Sequence, residues 1–270
     1  MPSSILTRFR QGKRTLPFPA AEPVLPERFR GLPILNGARC PSGCTSCADA
    51  CPTDAITRDG GLRIDLGRCL FCAECSNACP EGAIRFTPEY RLATSNRNDL
   101  LLTEGETLRL AGRLADETHR ILGRSLKLRQ VSAGGCNGCE ADVNVLNTVV
   151  FDLGRFGIQF VASPRHADGL LITGAVTQNM RLALEKTYSA MPEPNIVIAV
   201  GACAISGGPF RDHPEVLNGS DSIVSSRSLR PRMPAPPRGT ALLHPAAPGK
   251  NHQRTRQLQT RTEHRVIKFQ

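Results

Sequence analysis

The chain is 270 residues long, 40% hydrophobic, and carries a formal net charge of +10, enough for two modest domains with real cores. Without Trp and with only 4% aromatic residues it lacks the makings of a base-stacking nucleic-acid surface, and it has no run of about 18 apolar residues to span a bilayer. The charge misleads as a partner signal, because residues 222–270 hold ten Lys or Arg and one acid, Glu263, so that +9 of it lies there and the rest is nearly neutral.

Residues 1–30 are basic and dotted with proline, and read as an arm lying over a partner. Residues 31–95 hold eight of the 11 cysteines, in two runs, Cys40/Cys44/Cys47/Cys51 and Cys69/Cys72/Cys75/Cys79, each followed by proline (Pro52, Pro80). The second run has the C-x2-C-x2-C-x3-C-P spacing that wraps a short loop around one cubane while its last cysteine reaches to the neighbouring one. Crossed ligation is therefore expected: Cys69, Cys72, Cys75 and Cys51 around one [4Fe–4S] cluster, and Cys40, Cys44, Cys47 and Cys79 around the other. The first run has one extra residue between Cys40 and Cys44, which Ser42-Gly43 can absorb in a turn. Paired Cys-x2-Cys also suits zinc. Zinc sites of that kind do not end in Cys-x3-Cys-Pro, however, and here an Ala-Ile pair (Ala55-Ile56, Ala83-Ile84) recurs at one offset after each Cys-Pro. No charged-then-apolar leader opens the chain, so reduced thiols in the cytosol are expected rather than disulfides.

A short hairpin is expected at Leu62-Arg63-Ile64, between the two runs. Residues 96–125 read as a linker helix: Leu108, Leu110, Ala111, Leu114 and Ile121 recur near helical spacing, with Glu104 and Glu106 in the first turn. Over residues 126–224 the pattern becomes strands alternating with helices. Strands are expected at Leu126–Val131, Gln159–Ala162, Leu170–Thr173 and Ile196–Val200, with one helix through Val143, Leu146 and Val149 and another around Arg181–Ala190. Such alternation predicts a parallel sheet whose ligands sit at the carboxyl ends of the strands. The remaining cysteines lie there. Gly134-Gly135-Cys136-Asn137-Gly138-Cys139-Glu140 follows the first strand and Gly201-Ala202-Cys203 the last, the makings of a third cubane short of one ligand.

Four motifs in order, Cys136-Asn137-Gly138-Cys139-Glu140, Ser163-Pro164-Arg165-His166-Ala167-Asp168, Thr173-Gly174-Ala175-Val176-Thr177 and Gly201-Ala202-Cys203, resemble the small subunit of membrane-bound, energy-converting [NiFe] hydrogenases of the formate hydrogenlyase type. That family is similar to the twenty-kilodalton subunit of respiratory complex I, which carries adjacent cysteines where this chain has Cys136 and Cys139 separated by Asn137-Gly138. Residues 31–95 resemble the two-cluster ferredoxin-like subunit of the same complexes. The resemblance implies an α+β ferredoxin-like domain followed by an α/β flavodoxin-like domain of the complex I type, as a fusion of two neighbouring subunits. It further implies that Cys136, Cys139 and Cys203 hold a cluster next to a catalytic site in a separate large subunit, and that the loop with Arg165, His166 and Asp168 faces that subunit. A structural Arg165–Asp168 salt bridge is the other reading of the loop, and His166 is not taken as catalytic.

The function expected is an electron-transfer subunit that converts no substrate alone. Its partners would be a hydrogenase large subunit and membrane subunits, at the cytoplasmic membrane face. The alternatives are a complex I-type module and a nonredox basic protein whose tail binds nucleic acid. The family pattern also requires a Gly-Cys-Pro-Pro motif after Cys203, and Pro231-Arg232-Met233-Pro234 stands in its place. Moving the frame by one base turns Arg-Met-Pro into codons compatible with Gly-Cys-Pro, preceded by codons compatible with Asp-Leu-Tyr-Val-Pro. Residues 225–270, a basic proline-rich stretch without helical or strand period, are therefore expected to be out of frame and disordered, and the third cluster defective.

Overall fold

The computed structural model describes residues 2–94, 96–105, 108, 125–193, 195–224 and the backbone of 229–230. Helix α1 (Pro2–Gln11) opens the chain. The arm behind it lies on this chain's own second half: Leu16 N donates to Val150 O at 2.9 Å, and Arg155 donates from both terminal nitrogens to the carbonyls of Leu16 and Phe18 at 2.8 Å. The planar fork of a guanidinium suits it to hold two carbonyls of one extended segment.

The first unit consists of two similar halves. Strand β1 (Pro33–Leu35) pairs antiparallel with β4 (Ile84–Phe86). On the other side β2 (Ile56–Thr57) pairs with β3 (Arg63–Asp65), and β3 with β5 (Leu101–Thr103). Two one-turn helices, α2 (Ser46–Asp49) and α3 (Glu74–Asn77), carry Cys47 and Cys75. The repeat seen in the sequence has a backbone counterpart: Asp54 and Gly82, three residues after Cys51 and Cys79, both take left-handed conformations (φ 48° and 60°), and Ile56 and Ile84 behind them are buried.

This unit reaches Thr103, beyond the boundary expected at residue 95, because β3 needs β5 as its outer partner. Glu104, expected in the first turn of a linker helix, instead accepts the backbone N–H of Gly37 at 2.7 Å. The rest of that helix, residues 109–124, lies outside the described residues.

Strands β6 (Leu126–Ser132), β7 (Ile158–Phe160), β8 (Gly169–Thr173), β9 (Ile196–Val200) and β10 (Leu229–Arg230) form one sheet in the order β10-β9-β8-β6-β7, every pairing parallel. Counted from β6 this is the 2-1-3-4-5 order of flavodoxin-like folds, with its switch point between β6 and β8. All five residues of β8 are buried, as in parallel strands covered on both faces. Alternate residues go to opposite sides. Leu128, Leu171 and Ile198 pack with Val143 of α4 (Gly138–Val145); Leu170, Ile172 and Val197 pack with Leu184 of α5 (Gln178–Ser189). Helix α4 stops before Val149, which is 69% exposed rather than on the apolar face; Thr148 caps the end by donating to Val145 O at 2.7 Å.

The face with Leu170 and Ile172 also receives the first unit. Leu66, Leu92 and Leu100 belong to the same core as Val131, Ile172 and Ile205, so one core runs through both halves. Helix α6 (Ala202–Ser206) makes the polar contact there: Ser206 Oγ donates to Gly67 O at 2.9 Å.

Candidate iron–sulfur sites

The loop from Cys69 to Cys75 winds tightly because Phe71 and Ala73 both take left-handed backbone angles (φ 55° and 67°), a conformation that costs a residue with a side chain roughly 1–3 kcal/mol and is kept where surroundings impose it. A cleft results, lined by Cys51, Cys69, Cys72 and Cys75 and walled by Ile56, Ile64 and Phe86. The fold thus brings Cys51 of the first run to three cysteines of the second. Burial pushes the Cys69 thiol up and that of Cys75 up to about 12, the neighbouring cysteines adding to the effect.

The other four thiols also lie near one another. Cys47 is pushed up by burial and then by Cys40 and Cys79, its electrostatic neighbours. Cys44 is lowered, first by the Ser46 hydroxyl 3.6 Å from its sulfur, and has Cys40 beside it. The extra residue of this run is taken up at Gly43, whose φ of 77° is open to glycine without strain. Backbone N–H groups point at sulfur in both halves: Ala55 N to Cys51 Sγ and Ala83 N to Cys79 Sγ, each at 3.3 Å, and Phe71 N to Cys69 Sγ at 3.3 Å. A thiolate cluster spreads negative charge over its sulfurs, and such donors stabilise it. Among the described residues no group of three or more Cys, His, Asp or Glu forms a cage for a single metal ion.

At the sheet, Ser132 is level with Thr173 and Thr173 with Val200, so β6, β8 and β9 end together. Cys136 lies four residues beyond the first of these ends and Cys203 three beyond the last, with β8 between, and the Gly134-Gly135 turn packs against Gly174 at the end of β8. Cys136 is exposed, Cys139 buried on α4, and Cys203 half-buried on α6. Asn137, left-handed at φ 69°, turns the chain from Cys136 into α4. The Glu140 carboxylate is buried beneath this loop and accepts the hydroxyls of Ser132 at 2.6 Å and Thr173 at 2.7 Å, tying β6, β8 and α4 together. A Cβ on Gly135 would stand 2.2 Å from Glu140 Oε1, which explains glycine there.

Residues 136–238 match the family described as NADH ubiquinone oxidoreductase, 20 Kd subunit, and residues 39–83 match a 4Fe–4S dicluster domain. The chain is 45% identical over 117 residues to formate hydrogenlyase subunit 7 of Escherichia coli, covering 43% of this chain and 46% of that one. To a probable membrane-bound hydrogenase subunit of Pyrococcus furiosus it is 38% identical over 144 residues, covering 53% of this chain and 84% of that one. The chain belongs to this oxidoreductase subunit family. An NADH-quinone oxidoreductase subunit of Phocaeicola vulgatus, 40% identical over 145 residues and covered to 70%, is a further relative. Thus this family member carries a dicluster ferredoxin domain ahead of its family domain, and it spans about half the length of the first of these relatives and most of the second. The family match runs past Val224 into the stretch where β10 takes the outer place of the sheet.

The motif from Ser163 to Asp168 separates in space from the cysteines. Asp168 stands at the amino end of β8, opposite the cysteine loops, and its carboxylate accepts Lys127 N at 2.7 Å. Among the described residues no ion pair joins it to Arg165, so the expected salt bridge is not formed; the backbone donor of the neighbouring strand takes the carboxylate instead. Two residues that the motifs alone did not single out stand at the clusters: Arg58, whose guanidinium contacts Cys40 Sγ, and Phe86, which walls the other cleft. The repeat could have found them, since both lie seven residues after the last cysteine of a run.

Proposed function

We propose that the chain is the iron–sulfur electron-transfer subunit of a membrane-associated, energy-converting [NiFe] hydrogenase complex of the formate hydrogenlyase type. It relays electrons to or from a separate large catalytic subunit and performs no substrate chemistry itself. The observation that carries the reading is the meeting of Cys51 with Cys69, Cys72 and Cys75 in one apolar-walled cleft, in a chain whose second half belongs to a family of oxidoreductase subunits. Cys40, Cys44, Cys47 and Cys79 are assigned the second cluster. When bound, a four-iron cluster supplies reversible one-electron storage. The chain's own residues bury the thiols, direct N–H groups at sulfur, and hold the Cys69 loop against α6 through Ser206 and Gly67.

Cys136, Cys139 and Cys203 are assigned a third site, three thiols at the ends of β6 and β9. A shift of the reading frame near residues 224–226 would remove its fourth ligand and make the basic charge of residues 225–270 accidental, against which stand the family match to residue 238 and the pairing of β10 with β9. Resequencing the gene checks this: codons that do not encode Gly-Cys-Pro in the shifted register would refute it. The cysteine loops dock on the large subunit, and the assembly sits at the cytoplasmic membrane face, held by membrane subunits; among the described residues no helix is long and apolar enough to cross a membrane.

A complex I-type module is the second reading, favoured by the relative named as an NADH-quinone oxidoreductase subunit. Copurification decides between the two. A large subunit carrying nickel supports the hydrogenase assignment, whereas a nickel-free large subunit whose complex reduces quinone from NADH would replace it.

A further inference from the structure

The two halves of the cysteine unit share the N–H bond to the last sulfur of each run and the left-handed turn just before that N–H, and among the repeat positions at which they differ one stands at a cysteine site in both. Seven residues after Cys51 stands Arg58; seven after Cys79 stands Phe86. The Arg58 guanidinium contacts Cys40 Sγ, whereas Phe86 lines the cleft of Cys51, Cys69, Cys72 and Cys75. A cation stands near that second cleft too, but Arg30 donates its Nη1 to the carbonyl oxygens of Cys72 and Phe71, at 2.9 and 3.3 Å, rather than to sulfur.

We infer that Arg58 sets the potentials of the two clusters apart, holding the one on Cys40, Cys44, Cys47 and Cys79 higher than the one beside Phe86. The inference rests on the two-cluster reading. One-electron reduction adds a negative charge to a cluster, and a fixed cation hydrogen-bonded to a ligand sulfur stabilises that charge. An aromatic wall offers no such stabilisation and keeps out the water that would. Electrons on this chain therefore rest preferentially on the Cys40 side, and the Phe86 side is the stronger reductant. The Phe86-side cluster is also the one whose loop is tied to α6, which carries Cys203. Because Arg58 is only half-buried, the effect is moderate and weakens with salt.

The experiment uses the full chain loaded with iron and sulfide without oxygen, and follows each cluster by EPR-monitored redox titration. Arg58→Gln should lower the potential of one cluster, cutting its reduced-to-oxidised ratio at fixed poise by about tenfold, and leave the other in place. Arg58→Lys should retain most of the original value, and the difference between Arg58→Gln and the parent should shrink at high salt. The inference is overturned if neither potential moves, if both move alike, or if Arg58→Lys behaves as Arg58→Gln. It is overturned as well if Arg58→Gln loses half its iron while Arg58→Lys keeps it, since Arg58 would then serve assembly. A parent chain that never takes up about eight irons fails differently, by removing the two-cluster reading itself.

Discussion

Single residues at the two ferredoxin-type sites exchange places between the runs, and that makes the ligand assignment testable. Replacing Cys79 by Ala should remove the cluster of the first run, although the other three ligands lie 32 residues or more earlier, and iron should fall from about eight to about four. EPR showing loss of the Cys69 cluster instead would reverse the crossing. Glu140 is a different kind of residue: its carboxylate satisfies two hydroxyls beneath the Cys136 loop. Glu140→Ala strands both and should cost about 2–3 kcal/mol, read from urea unfolding; a loss below about 0.5 kcal/mol would show that water replaces it freely. Thiol titration carries a third expectation. Burial raises Cys69 and Cys75 above the ordinary thiol value of 9.0, so without iron the fold binds their protons more tightly than the unfolded chain does. That contribution is fully present below pH 9 and is lost as pH rises above it. Iron-free protein should accordingly lose stability between pH 9 and 11 and iron-loaded protein much less, whereas equal losses would tell against buried thiols. The cysteines were legible because ligand spacing is a local property. The repeat marks the position of Arg58 but not its contact, because nothing local to an Arg in a turn says which sulfur it meets.

Elements explain why the halves hold their sites in register. Strand β5 could not be told from the start of a linker helix, because Leu101-Leu102-Thr103 is too short to show a period and becomes a strand only through its pairing with β3. The reverse holds for β8 and β9, whose unbroken apolar runs announce strands buried on both faces. The extended arm at residues 15–18 is held chiefly by Arg155. Arg155→Ala removes its two bonds to the carbonyls of Leu16 and Phe18 and should speed limited proteolysis there severalfold, with global stability changed by under about 1 kcal/mol. Unchanged cleavage would mean that the Leu16–Val150 and Thr15–Val149 bonds suffice.

Across the whole molecule one core joins the cysteine unit to the parallel sheet, and a shared core unfolds as one. The iron-loaded chain should lose cluster absorbance and sheet circular dichroism in a single thermal transition; two transitions well apart would make the halves independent. The amino-acid sequence alone determined that there are two cysteine runs with paired proline, that a strand–helix alternation follows, and that thiols and glycines cluster at strand ends. These are statements about neighbours along the chain, where spacing and periodicity suffice. Only the tertiary structure decided that Asp168 turns to Lys127 rather than to Arg165, that Ser206 reaches Gly67 139 residues away, and that a guanidinium stands at one site where an aromatic ring stands at the other. Each of those joins segments distant in sequence, and which distant groups meet is set by how buried faces pack, a choice that no local pattern records.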